Sequence, residues 1–259
     1  GVIPMVRLTE IFRQAAESAI VRSAHGVNRG ELPDLRDNKH DFFFLRRKEP
    51  ARAAETIVEL VKTRLPNNMG IPPEQIQVLS PTRKRTAGTA SLNRAIQEAV
   101  NPPGPDRPER RFGEYIFRRG DRVMQVRNNY DKEVFNGDLG YVESVNTEDR
   151  TLTVDFDGRS VEYDVTELDE LTLAYATTIH KAQGSEYPIV VLPVLMTHYV
   201  MLQRNLIYTG ITRAKKICVL IGATKALAYA VHNMSVLKRN TSLRERLNPS
   251  LTTDGKLRG

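Results

Sequence analysis

Thr177-Thr178-Ile179-His180-Lys181-Ala182-Gln183-Gly184-Ser185-Glu186-Tyr187-Pro188 runs directly into Ile189-Val190-Val191-Leu192-Pro193-Val194-Leu195. The apolar run reads as a strong strand, with Pro193 a mild objection because proline cannot donate to a ladder. The segment before it is dense in hydroxyls and charge, more than a plain core element needs. A second segment has the same character: Tyr208-Thr209-Gly210-Ile211-Thr212-Arg213-Ala214-Lys215-Lys216, followed by the strand-like Ile217-Cys218-Val219-Leu220-Ile221. Helical spacing over 203–214 leads into that strand.

Upstream the same texture repeats. Apolar residues at 8, 11, 12, 15, 16, 19, 20, 24 and 27 form a helical stripe, with Thr9 as N-cap and Gly30 as stop. Residues 41–45 read as a short strand. Pro50 opens a helix that Pro66 is expected to close. Residues 76–80 form a compact apolar run, as in a buried parallel strand. Leu92, Ala95, Ile96 and Ala99 give the next helix. Helices alternating with short buried strands predict an α/β fold.

Residues 101–111 change the texture, being rich in proline and charge, and read as a linker or exposed loop. Strand signals follow at 122–126, 139–145, 151–156 and 160–165, separated by Asn136-Gly137-Asp138, residues 146–150 and the hairpin turn Asp157-Gly158. Four short strands in so little chain predict a small β-barrel. Residues 171–175 are strand-like and mark the return of α/β texture. The expected organisation is one α/β domain over 1–117 and 169–247, a β insertion over 118–168, and a disordered tail over 248–259.

The chain has 259 residues, 40% apolar and 27% charged, ordinary for a soluble globular protein. Its longest apolar run is far short of the roughly 20 residues that a membrane helix needs. No signal-peptide pattern opens it, and with Cys218 as its single cysteine no internal disulfide can form. A reducing, cytoplasmic setting is expected. The net charge of +7 suits a polyanionic partner, and basic residues cluster at Arg83, Lys84 and Arg85 and at Arg118, Arg119 and Arg122. The sequence has no G-x-x-x-x-G-K-[ST] loop; its one Gly-Lys pair, Gly255-Lys256, precedes Leu257. It opens without an initiator Met, which suggests a fragment of a longer chain.

Several residues carry chemistry. Arg13 and Gln14 stand near a helix start, where the dipole disfavours a cation. A guanidinium there is either a solvated surface group or a reach towards a phosphate. Ser80-Pro81-Thr82-Arg83-Lys84 leaves a buried strand, and strand carboxyl ends are where open α/β sheets bind ligands. It is either a phosphate-contacting loop or an ordinary turn. Gly184 would let a ligand approach the backbone, Glu186 could accept from a ribose, and Thr178 and His180 could donate to phosphates. Arg213 reads as a finger on a γ-phosphate or as a helix C-terminal cation.

In this order the segments resemble the second motor half of superfamily 1 helicases, most closely the RecD-like branch. By that resemblance Arg13 and Arg213 are the two catalytic arginines that touch the γ-phosphate. Gln14, Gly184 and Glu186 bind nucleotide, and Thr82, Arg83, Thr178 and His180 bind DNA. The β insertion, with Val134-Phe135-Asn136-Gly137-Asp138-Leu139-Gly140, matches the SH3-like domain 2B, and the rest matches the RecA-like three-layer domain 2A. The family's ATP lies between 2A and a preceding domain 1A, which carries the phosphate loop and holds Mg²⁺; this chain holds no metal of its own in that scheme. The resemblance implies a monomer that moves 5′ to 3′ on single-stranded DNA and is inactive without 1A.

Two other functions compete. One is a non-catalytic module that binds single-stranded nucleic acid, consistent with the charge. The other is a peptide-recruiting barrel using aromatics among Tyr130, Phe135, Tyr141, Phe156 and Tyr163, several of which are expected to fill its core.

Overall fold

A computed structural model describes residues 18–36 and 41–234. Thr9, Arg13, Gln14 and the tail 248–259 lie outside the described residues.

Helix α1, Ala19–Arg29, starts later than its apolar stripe suggested. Ser18 is extended, and its hydroxyl accepts from the Val21 amide. The Asp41 carboxylate accepts from the Ala19 and Ile20 amides at 2.8 and 3.2 Å and from the Ser18 hydroxyl. Two acceptors thus satisfy amides that begin a helix, so the stripe over 8–27 is interrupted at Ser18. Gly30 ends α1 at φ 88°, as expected.

Strand β1 is Phe42–Arg46. Helix α2, Pro50–Glu59, passes through a π-helical turn, Leu60–Arg64, into α3, Leu65–Met69. Pro66 therefore does not close the helix. The Leu65 amide reaches back five residues to the Leu60 carbonyl, and this wider turn lets proline sit in the first turn of α3. Gly70 is the actual stop, at φ 64°.

Strand β2, Ile76–Ser80, is wholly buried and leads to α4, Thr89–Val100. The stretch read as a loop over 101–111 instead ends in a hairpin, β3 Glu109–Phe112 with β4 Tyr115–Arg118. Strands β5 Arg122–Gln125, β6 Leu139–Asn146, β7 Thr151–Phe156 and β8 Arg159–Asp164 follow close to expectation. Strand β9, Leu171–Leu173, does not return to the α/β domain: it pairs antiparallel with β5. Its sheet has the order β8-β7-β6-β5-β9. The expected boundaries at 117/118 and 168/169 therefore cut through this β unit, because β4 crosses the first and β9 follows the second. Phe117 and Leu173 share its core with Tyr163.

The chain then forms β10 Ala176–Thr178, β11 Tyr187–Val194, α5 Arg204–Ile211, β12 Ala214–Gly222 and α6 Thr224–His232. These strands join an all-parallel sheet of order β1-β12-β11-β2-β10. Pairing of Tyr187 with Ala214 draws residues 214–216 into the sheet, so α5 stops short of the span read as helix. Pro193 lies past Val191, the last β11 residue paired with β2, so its missing N–H does not interrupt that ladder. One sheet face packs Phe44, Leu192 and Leu220 under α1, α5 and α6; the other packs Val78, Val191 and Ile221 under α2 and α4. This is a three-layer α/β domain with a β insertion.

The insertion is fastened by buried polar groups. Asp121, fully buried, accepts from Gln97, Asn101 and Tyr175 side chains and from the Arg118 amide. Burial pushes its carboxyl above the usual range, although these hydrogen bonds oppose the shift. Buried Arg118 pairs with Glu98 of α4 at 2.7 Å and Glu109 at 2.8 Å. Asn93 of α4 bonds Leu173 and Ala176, which fixes the return from β9 to β10.

Candidate nucleotide edge and nucleic-acid cleft

The predicted site residues separate to opposite ends of the parallel sheet. Arg213, Glu186 and Gly184 stand at the amino end, just before β12 and β11. Arg213 lies two residues past α5, not on it. Its guanidinium donates to Ser185 O at 2.9 Å, Thr209 O at 3.3 Å and Thr212 Oγ1 at 3.4 Å. All three acceptors are neutral, so none offsets its positive charge. Glu186, half-buried, meets Lys215 at 3.1 Å. Gly184 has φ 88°, and a Cβ there would meet no atom within 4 Å. The backbone conformation, rather than crowding, explains the glycine, and the space beside it is open.

Thr178 and Arg83 belong to the carboxyl end. Thr178 is in register with Ser80, so β10 and β2 finish side by side. The loop after β2 is tightly folded: Ser80 Oγ donates to Ala87 O at 2.8 Å, and a Cβ on Gly88 would lie 2.1 Å from Lys84 O. Ser80 is thus spent inside the loop. Thr82, half-buried, donates to Lys84 O at 3.3 Å. Arg83 is exposed and reaches Glu114 Oε1 at 2.9 Å and Tyr115 Oη at 3.1 Å on the β3–β4 hairpin.

A cleft of about 260 Å³ opens between this end of the sheet and the insertion. Arg83, Thr178 and Lys181 line one wall, and Met124, Val126 and Asp169 the other. Thr82 and His180 are not in its lining, although His180 is exposed on the adjoining turn. Lys181 is the cleft residue that sequence reasoning passed over. Its amide donates to Thr178 Oγ1 at 3.3 Å, which fixes the turn. Burial and then the nearby Arg83 lower the pKa of its ammonium. Among the described residues Lys181 makes no ion pair. A partly desolvated cation facing another cation attracts an anion. The available signal was its position within the quoted segment, three residues after Thr178.

The comparisons with known proteins fit this geometry. Residues 92–156 match the model of the ATP-dependent RecD-like DNA helicase SH3 domain. Residues 173–221 match the UvrD-like helicase C-terminal domain, a span containing both segments quoted from the sequence. The ATP-dependent RecD2 DNA helicase of Deinococcus radiodurans is 38% identical over 94% of this chain and 32% of its own length. This chain carries the C-terminal motor half of a RecD-like helicase.

The RecBCD enzyme subunit RecD of Mycolicibacterium smegmatis is 30% identical over 68% of the chain and 30% of that subunit. The chain thus spans about a third of the length of these relatives. A Bacteroides Pif1 helicase, solved with ADP-AlF3 and ssDNA, superposes with a TM-score of 0.54 at 17% identity, covering 96% of this chain and 57% of that one. The Pif1 helicase of Candida albicans gives 0.51 at 18% identity, covering 85% and 56%. These two likenesses concern the fold alone. Among the described residues no helix is long and apolar enough to cross a membrane.

Proposed function

We propose that this chain supplies the closing face of an ATP-dependent DNA helicase motor and part of its single-strand track. The observation that carries the reading is one short segment, 179–186, that links the cleft residue Thr178 to the Arg213–Glu186 edge. A strand moving in the cleft and a nucleotide at the other edge would pull on the same backbone.

ATP with Mg²⁺ would supply the driving free energy, its phosphate loop and metal ligands coming from a preceding domain. The residues here fit the nucleotide's outer part. Arg213, held among the described residues by neutral oxygens alone, can turn to a γ-phosphate without breaking an ion pair within them. Fingers of this kind are worth about 10³–10⁵-fold in rate. Arg13 is proposed as the second such arginine and Gln14 as its neighbouring nucleotide contact. Glu186 would accept from the ribose, with Lys215 holding its carboxylate, and Gly184 leaves the approach open. On the DNA side, Arg83, Thr178 and Lys181 would take phosphates inside the cleft, with Thr82 and His180 at its margins. We assign domain 2B to residues 109–173, from the strand pairing, and 2A to the flanking parts. Movement 5′ to 3′, action as a monomer and a cytoplasmic setting rest on the family resemblance.

The test is ATP hydrolysis with and without single-stranded DNA, by this chain and by an intact protein containing it. A silent chain and a DNA-stimulated intact protein are the expected pair. Hydrolysis by the chain alone would place a phosphate site within it and overturn the split assignment. A non-catalytic binding module is the second reading, favoured by a cleft formed wholly within the described residues. It requires salt-sensitive strand binding by an intact protein that never hydrolyses ATP.

A further inference from the structure

The loop between β5 and β6 carries two exposed aromatic rings for which the core has no use. Tyr130 is 74% exposed, the highest value among the exposed large hydrophobic residues described, and Phe135 is 44% exposed. Their ring centroids are 5.9 Å apart and the planes cross at 75°. They edge each other and leave broad ring faces to solvent.

This loop is held in shape from within. Asn129 and Val134 exchange backbone hydrogen bonds at 2.8 and 3.1 Å, and Val134 is fully buried in the insertion's core. The Phe135 amide donates to Asp138 and the Asn136 amide to Asn128. Lys132 lies 4.5 Å from the centre of the Tyr163 ring and pairs with Glu167. Rings fixed outward on an ordered loop lose little freedom when they meet a ligand.

The loop also starts at the cleft. Val126 lines it, Arg127 pairs with Asp169 of the same wall at 2.8 Å, and Asn129 bonds Glu170 at 3.1 Å. From Val126 to Tyr130 the chain can span at most about 14 Å. The two places offer complementary chemistry. Among the described residues the cleft holds Lys181 without an ion pair, beside Arg83, which meets Glu114 at its edge, whereas the loop's Arg127 and Lys132 are both paired with acids and its tip offers flat apolar faces. A polymer with charged backbone and flat bases matches both together.

We infer that Tyr130 and Phe135 form a stacking platform for unpaired nucleobases of the strand whose phosphates occupy the Arg83–Lys181 cleft. This rests on the proposed DNA-binding reading and extends it from backbone to bases. Stacking on an aromatic side chain tolerates any base, as a translocating motor requires.

The experiment uses the intact helicase and two oligonucleotides of equal length, one carrying bases and one abasic over the central stretch. Wild-type protein is expected to bind the base-bearing strand about tenfold or more tightly over the abasic one. The double variant Tyr130→Ala/Phe135→Ala should lose that preference, weaken on the base-bearing strand by about the same factor, and keep its abasic affinity. Tyr130→Trp in the Phe135→Ala background should restore much of the preference, which separates stacking from a folding defect. If the double variant keeps the wild-type preference, the platform is refuted, and a peptide-binding role for the pair is the reading left. If wild-type protein binds neither strand, the DNA-binding reading itself fails and the platform with it.

Discussion

The two ends of the parallel sheet handle charge differently. At the amino end the chain itself holds Arg213 through three neutral oxygens and Glu186 through Lys215. At the carboxyl end the exposed Lys181 stands near Arg83 and, among the described residues, makes no ion pair. In the proposed reading the amino end meets a second surface, and its groups must turn to act. The carboxyl end is the proposed anion site, and both of its walls come from this chain. Under the proposed roles, the difference teaches that such a half can be complete for its track while incomplete for its fuel.

The sharpest way to break the comparison is Arg213→Ala in the intact protein. Hydrolysis should fall by about 10³-fold or more while the dissociation constant for single-stranded DNA stays within about twofold. Comparable losses in both assays would mean that the two ends are not separable. Steady-state turnover and fluorescence anisotropy read the two quantities.

Next in size is the joint that holds the cleft's walls. Asp121→Ala strands the Gln97, Asn101 and Tyr175 donors in a buried place. It should destabilise the fold by about 2–4 kcal/mol in denaturant titration. At residual folded populations it should impair DNA binding more than any amino-end function. Asp121→Asn keeps the shape but turns an amide donor towards other donors, so it should rescue only in part.

His198 sharpens the picture at the carboxyl edge of β11. It is 3% exposed, neither ring nitrogen has a partner among the described residues, and burial, then Arg85, holds its pKa at about 4. The unfolded chain takes up the proton near pH 6.5, before the folded one does. Stability from this group is therefore full above about pH 6.5 and lost as pH falls towards about 4. The loss should be on the order of 3 kcal/mol over that window. His198→Leu should flatten this part of the stability–pH curve; an unchanged slope would assign it to other groups.

The smallest effect is expected from Lys181→Ala. Strand affinity should weaken a few-fold, and the slope of log K against log salt should fall by about one contact. Arg213→Ala should leave that slope alone. An identical slope in Lys181→Ala would remove Lys181 from the phosphate path.

Much of this was legible along the chain because local pattern and long-range packing agreed. Buried strands 76–80 and 189–195 were readable as apolar runs, and Gly30 as a stop. Failures occurred where a distant residue decided the outcome. Asp41, more than twenty positions away, caps α1 at Ser18 and cuts a stripe that periodicity alone would continue. A π turn absorbs Pro66. Leu171–Leu173 has the composition of either sheet, and only its pairing with β5 places it in the insertion.

By itself the sequence determined the element types, the β insertion between two α/β stretches and the polar segments that point to a RecD-like motor half. Hydrophobic period and motif spacing are local properties, so they survive without coordinates. Tertiary structure alone decided that one segment divides its residues between two ends of a sheet, that Lys181 and Arg83 face one cleft while Thr82 and His180 stand aside, and that Asp121 fastens the walls. Those outcomes depend on which strands become neighbours and which groups lose water, and neither is written in the spacing of residues along the chain.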